Sequence, residues 1–254
     1  MNIKQQIKTV FDFYLDNSIH VALSVVFITF LTFDTQHIKP NYVLLCFIFC
    51  STIFGYNFSK RRIKKAIILN TVCFLISIFS LCYLPFNIQK ISLFTFVILF
   101  FYTYPTRFNL RKIPYAKIVI VAFCWILTSI LMPVIVERLP DQKVMLYAFS
   151  FFVWIGILIL PFDIRDIKTD VSIVTFPRKL GTQNTKNIGI SIIIILFFFN
   201  LYNEIPFVIN FLFTTTISLF LIFSSTEKSR YYYTFWGESI PIFIGFIYLL
   251  LNKF

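Results

Sequence analysis

Three of the eleven acidic residues of this 254-residue chain stand within eight positions of one another, in the stretch PFDIRDIKTD at 161–170. Asp163, Asp166 and Asp170 are spaced i, i+3, i+7, and at about 100° per residue these positions fall within about 60° of each other on a helix. Arg165 and Lys168 fall on other faces. Three carboxylates on one face repel each other unless a cation lies among them. Hard cations such as Mg²⁺ take oxygen ligands and share them with phosphate. The face therefore points to a magnesium–diphosphate site in which Asp163, Asp166 and Asp170 hold the metal. The plainer reading is a solvated loop whose acids offset nearby Lys and Arg. The alignment and the surroundings weigh for a site: a negative cluster inside a positive rim is the electrostatic form of a metal-bridged anion site.

The elements that would position this face are membrane spans. Apolar residues make up 58% of the chain and charged residues 13%, with 35 Phe and a mean hydropathy of +0.82, against about 25% charged residues in soluble domains. A helix crosses a bilayer with about 20 apolar residues. That ruler gives nine segments, at about 19–33, 42–57, 66–84, 88–104, 115–136, 144–162, 187–203, 205–223 and 235–251. The expected architecture is an all-α polytopic membrane protein, one domain over 1–254, with nine transmembrane helices around a central cavity. Residues 1–18 read as an amphipathic lead-in rather than a cleaved signal, because Asp12 and Asp16 follow Lys4 and Lys8 and no small-residue cleavage site follows.

Basic residues orient the spans. With the N-terminus in the cytoplasm, the inside loops hold two Lys in the tail, five Lys/Arg at 60–65, four at 107–117, five at 165–186 and two at 228–230. Only Lys39, Lys90, Arg138, Lys143 and Lys253 fall outside. Nine spans then put the C-terminus outside. The +12 net charge is gathered on one face, which suits topology and contact with anionic membrane lipid. Nucleic acid is a poor partner, since no domain is left to dock it. The two histidines, His20 and His37, argue against a His triad or a zinc site, and the five cysteines all lie in apolar runs. The abundance of Phe, Ile, Lys and Asn suits an AT-rich bacterial source, and hence a bacterial inner (cytoplasmic) membrane.

DIRDIKTD, followed by TFPRKLG at 175–181, resembles the second aspartate-rich motif of the UbiA superfamily of intramembrane prenyltransferases. The resemblance implies nine spans, with two motifs in the cytoplasmic loops after spans two and six. It also implies an isoprenyl diphosphate bound through Mg²⁺, loss of diphosphate to give an allylic cation, and attack by a small lipophilic, often aromatic, acceptor. The family's first motif reads Asn-Asp-x-x-Asp-x-x-x-Asp. Here YNFSKRRIKKA at 56–66 keeps Asn57 and sets Phe58, Arg61 and Lys65 at the three Asp positions. Two readings are open. In one, Arg61 and Lys65 grip the diphosphate directly, Arg through its bidentate fork and Lys as a point charge. In the other, the 60–65 cluster is only a topology signal.

The loop YTYPTRFNLRKIPYAK at 102–117 corresponds to a family loop whose basic residues reach the diphosphate, so Arg107, Arg111 and Lys112 are further candidates; positive-inside charge explains them equally. Near the last span, WGESIP places Glu238 either inside the membrane near its inner face or at the interface. The leading expectation is transfer of an isoprenyl group from its diphosphate to a lipophilic acceptor. Asn57, Arg61, Lys65, Arg107, Arg111 and Lys112 would meet the diphosphate, and no general base is evident. The alternative is a catalytically inactive chain of the same fold that binds or presents a prenyl lipid. A transporter ranks below both, because no internal repeat is visible and the acids cluster at one interface.

Overall fold

The computed structural model describes residues 3–104, 109–169 and 173–251. Among them the chain is helical throughout. An amphipathic helix α1 (Ile3–Asp16) precedes α2 (Ile19–Thr35), α3 (Tyr42–Ser59), α4 (Ile67–Cys82) and α5 (Phe86–Thr103). Then come α6 (Ala116–Ile135), α7 (Gln142–Arg165), the short α8 (Phe176–Leu180), α9 (Thr182–Tyr202), α10 (Phe207–Ile222) and α11 (Tyr232–Leu251). The nine apolar runs of the sequence correspond to α2–α7 and α9–α11. Seven of these helices are long and apolar enough to cross a bilayer alone, α4 together with the 3₁₀ turn Ile63–Ala66 that leads into it. The others, α2 and α10, have 17 and 16 residues, or about 24–26 Å at 1.5 Å per residue, a little short of a ~30 Å hydrocarbon core.

Local chemistry sets the helix ends. Asn41 and Asp141 cap α3 and α7, accepting from the backbone N–H groups of Leu44 and Val144 at 2.9 Å each. Pro85 and Pro206 start α5 and α10. Between α1 and α2 the chain bends by 56°, with Ser18 in the left-handed region at φ 62°. The helices close into a ring in which α2 packs on both α3 and α11, α6 on α7, and α7 on α9 and α10. Its most buried member, α7, carries Trp154, which stacks on Phe213 of α10 at 4.8 Å. In contrast, α4 and α5 show rows of exposed Ile, Leu and Phe, as expected where the neighbour is lipid.

One irregularity shapes the interior. The regular winding of α6 is broken by a π-helical turn at Leu127–Leu131, where α2 packs against it. A cavity of about 690 Å³ lies among α2, α3, α5, α6, α7 and α11.

Candidate functional site at the mouth of the central cavity

The turn after α3 shows how the chain aims its charges. The Arg62 N–H donates to the Asn57 carbonyl at 2.8 Å and the Arg61 N–H to the Phe58 carbonyl at 3.0 Å. This is the paired bonding of a Schellman cap. Arg61 holds the left-handed position of that cap, φ 54°, which glycine usually fills. The reversal sends Arg61 outward, with its guanidinium 3.4 Å from the Thr103 carbonyl. Lys60 and Arg62 are left lining the cavity. The Lys60 ammonium meets Ser18 Oγ at 3.1 Å, and Arg62 pairs with Asp16 at 2.9 Å. Desolvation by the surrounding protein lowers the Lys60 pKa below the ordinary lysine value. The nearby Glu238 carboxylate works against that shift and Arg62 works with it.

Beneath the cap, Asn57 is fully buried. Its Nδ2 donates to the Asn17 carbonyl at 3.1 Å and to Asn70 Oδ1 at 2.8 Å, while its Oδ1 accepts from Ser18 Oγ at 2.9 Å. Asn57 thus pins the bend between α1 and α2 to α3 and α4 and does not line the cavity. Lys65 and Lys112 are exposed and also lie outside its wall. Lys65 instead borders a smaller recess of about 320 Å³ with Asp12, Asp16 and Arg62. Arg111 does line the cavity. Arg107 and Asp170 lie outside the described residues.

On the far side, Asp163 and Asp166 converge on one cation. The Lys117 ammonium, from the first turn of α6, is 2.6 Å from Asp163 Oδ1 and 3.5 Å from Asp166 Oδ2. The Asp163 side chain is 1% exposed. The i, i+3 spacing does bring these two carboxylates to one place. Arg165, expected on another face, instead folds back and takes both oxygens of Asp166, Nε at 2.7 Å and Nη2 at 3.0 Å. Its guanidinium also lies 5.5 Å from the Phe162 ring and 5.4 Å from that of Tyr233. Arg230, on the turn before α11, pairs with Asp16 and completes the wall.

The mouth of the cavity therefore carries six cations: Lys60, Arg62, Arg111, Lys117, Arg165 and Arg230. They come from four separate turns, and three carboxylates, Asp16, Asp166 and Glu238, stand among them. Below them the wall becomes apolar, with Val21, Leu99, Ile120, Val121, Ile155 and Leu158. Four aromatic rings, Tyr56, Tyr102, Trp125 and Phe162, also face in. Trp125 Nε1 donates to the Tyr56 hydroxyl at 2.6 Å, fixing both rings. Where the polar and apolar parts meet stands Glu238. Its Oε2 is buried without a hydrogen-bond partner among the described residues. Gly237 beside it has no room for a Cβ against the Phe220 ring, so the backbone there is held close to α10.

This one space, cationic at its mouth and apolar in its depth, has the form of a pocket for an amphiphilic anion. A protein-family model, the UbiA prenyltransferase family, matches residues 60–232, more than half of the chain. The chain belongs to that family. The match begins at Lys60, within the degenerate first motif, and runs through every cavity-lining cation named above. No curated protein and no solved structure matches the chain at a significant level.

The Mg²⁺ that family membership implies can be tested against the donor set. Among the described residues no three His, Cys, Asp or Glu side chains come together as a metal cage. The two converging carboxylates already bind Lys117, and Arg165 occupies both oxygens of Asp166. At the first-motif positions stand Phe58, Arg61 and Lys65, none a ligand for a hard cation. The described donor set does not fit the two-motif magnesium cage.

The motif spacing does not single out Lys60, Arg62, Lys117, Arg165 and Arg230, which the fold brings to the cavity wall. Each stood in an inside loop of the charge census, and that was the available signal. Their convergence depends on tertiary packing that no local spacing encodes.

Proposed function

We propose that this chain is an intramembrane prenyltransferase that takes its prenyl group from an isoprenyl diphosphate and passes it to a small lipophilic acceptor. One observation carries the reading: six cations from four turns surround the mouth of a single cavity whose depth is apolar and aromatic. The diphosphate sits among Lys60, Arg62, Arg111, Lys117, Arg165 and Arg230, where guanidinium forks and ammonium groups bond phosphate oxygens. The prenyl chain lies along Leu99, Ile120, Val121, Ile155 and Leu158. The allylic C–O bond breaks, and its electron pair leaves with the diphosphate, whose growing charge the cations stabilise. The faces of Tyr56, Tyr102, Trp125 and Phe162 line the space where the allylic cation forms, at about 0.5–2 kcal/mol per well-placed ring. The acceptor forms the new bond to that carbon and gives up its proton, and Glu238 is the carboxylate at that depth placed to receive it. In this reading the cationic mouth faces the cytoplasm and the C-terminus lies outside, in a bacterial inner membrane.

The test is turnover. Purified protein in lipid nanodiscs, given labelled geranyl, farnesyl or geranylgeranyl diphosphate with quinone-like or chlorophyll-like acceptors, is expected to release diphosphate and form a prenylated product. Saturable binding without release at any chain length would overturn catalysis. It would favour the second reading, a prenyl-lipid binding protein of the same fold, which the Phe58, Arg61 and Lys65 replacements support.

A further inference from the structure

Two of the carboxylates expected to recruit a divalent ion, Asp163 and Asp166, already hold a cation of the chain's own. Lys117 Nζ lies between Asp163 and Asp166, at 2.6 and 3.5 Å, on the wall of the cavity. A Mg²⁺ ion bridging these acids to a diphosphate would stand in the same position relative to them: a positive charge held by carboxylate oxygens on one side and facing phosphate oxygens on the other. We propose that Lys117 stands in for the bridging metal, so that this chain binds the diphosphate of its substrate without a divalent ion. This rests on the diphosphate reading above and specifies how that site works.

Three further observations support it. First, the ion pair is a built feature: Asp163 is 1% and Lys117 14% exposed at the side chain. Removing two charges from water is tolerated only with a close partner, so these groups hold each other in place. Second, the opposite wall supplies positive charge where carboxylates are expected. The turn after α3 directs Lys60 and Arg62 into the cavity, and residues 56–66 contain no acid. Carboxylates there would need a metal before they attract phosphate; ammonium and guanidinium groups attract it directly. Third, Arg165 takes both oxygens of Asp166, so that carboxylate orients an arginine toward the cavity. On both walls the acids, where present, position cations. Lys117 is then a substrate-binding residue, and Asp163 a positioning residue that acts through it.

The experiment measures binding by the full-length protein in nanodiscs, by calorimetry, with inorganic pyrophosphate and geranylgeranyl diphosphate as probes. One arm contains excess EDTA and the other Mg²⁺. Dissociation constants that agree within about threefold, a difference below about 0.7 kcal/mol, support the proposal. Binding only in Mg²⁺, or more than about tenfold tighter there, overturns it and leaves the diphosphate reading intact. No binding in either arm overturns both. One variant sharpens the result. Lys117→Ala releases Asp163 and Asp166 from their ammonium, so binding in EDTA is expected to fall by about tenfold or more, as for a lost charge-assisted hydrogen bond. A Lys117→Ala protein that binds equally well in EDTA contradicts the role given to Lys117. If that variant fails to fold, the two wild-type arms decide the matter.

Discussion

After α3 the chain turns at Lys60–Arg62, with no acid anywhere in residues 56–66. After α7 it turns at Asp166–Lys168, with Asp163 and Asp166 on its inner side. Both turns border the same cavity and both contribute cations to it. They are held by different forces. A neutral amide and hydroxyl network around Asn57 secures the first, joined to Ser18, Asn17 and Asn70 at 2.8–3.1 Å. The second is secured by ion pairs, the buried Asp163 with Lys117 and the half-buried Asp166 with Arg165. The same outcome, positive charge directed inward, is reached at the first turn with no acid of its own, Arg62 pairing with Asp16 of α1, and at the second with two. An acid-rich motif is therefore not in itself evidence of a metal: what matters is whether its oxygens are already taken.

The largest expected effect breaks the second turn. Asp163→Ala leaves Lys117 buried without its closest partner, and loss of one member of a buried pair costs about 3–5 kcal/mol. Thermal unfolding in detergent checks this, and the double variant Lys117→Met, Asp163→Leu is expected to recover most of the loss. The equivalent blow to the first turn is smaller. Asn57→Ala removes a neutral hub, costing about 1–3 kcal/mol for the polar groups left unpaired. Equal destabilisation by the two substitutions would show that the turns are not held by different forces.

How far the sequence anticipates these turns differs between them. Hydrophobic runs of the right length mark the nine helices, and the i, i+3 spacing of Asp163 and Asp166 brings both onto Lys117. The positive-inside count already groups all six cavity cations in the loops expected on one face. The first motif misleads. Its pattern carries Asn57, Arg61 and Lys65 at every fourth position, which shares a face only while a helix continues. The helix ends at Ser59, and a left-handed Arg61 reverses the chain, so the neighbours Lys60 and Arg62 reach the cavity instead. Lys117, Arg165 and Arg230 carry no local signal, since their meeting is a property of the closed ring.

That reversal sharpens the comparison at lower energies. Lys60→Ala and Arg62→Ala are each expected to weaken pyrophosphate binding about tenfold, near 1.4 kcal/mol. Arg61→Gly is expected to leave binding within about twofold while stabilising the protein by about 1 kcal/mol, because glycine suits the left-handed cap position. Calorimetry and thermal melts separate the two outcomes. Loss of binding in Arg61→Gly would restore Arg61 to the site.

The smallest expected effect is on pH dependence. With its pKa held below the ordinary 10.5 by desolvation, Lys60 loses its charge earlier than a free lysine as pH rises. Diphosphate affinity should begin to fall before pH 10.5, and Lys60→Arg should keep it. Unfolding does not explain such a fall. The unfolded chain binds this proton more tightly than the folded one, so the Lys60 contribution destabilises below the folded pKa and is relieved as pH rises toward 10.5.

The most direct measurement of the central claim is photo-crosslinking. An isoprenyl diphosphate bearing a photoreactive group at its tail is bound to the protein in nanodiscs, and the labelled peptides are mapped with and without excess pyrophosphate. The account predicts labels on the apolar wall of the cavity, at segments containing Val121, Trp125, Ile155 and Leu158, suppressed by pyrophosphate and weakened by Arg62→Ala. Labels confined to the lipid-facing rows of α4 and α5, indifferent to pyrophosphate, would contradict it.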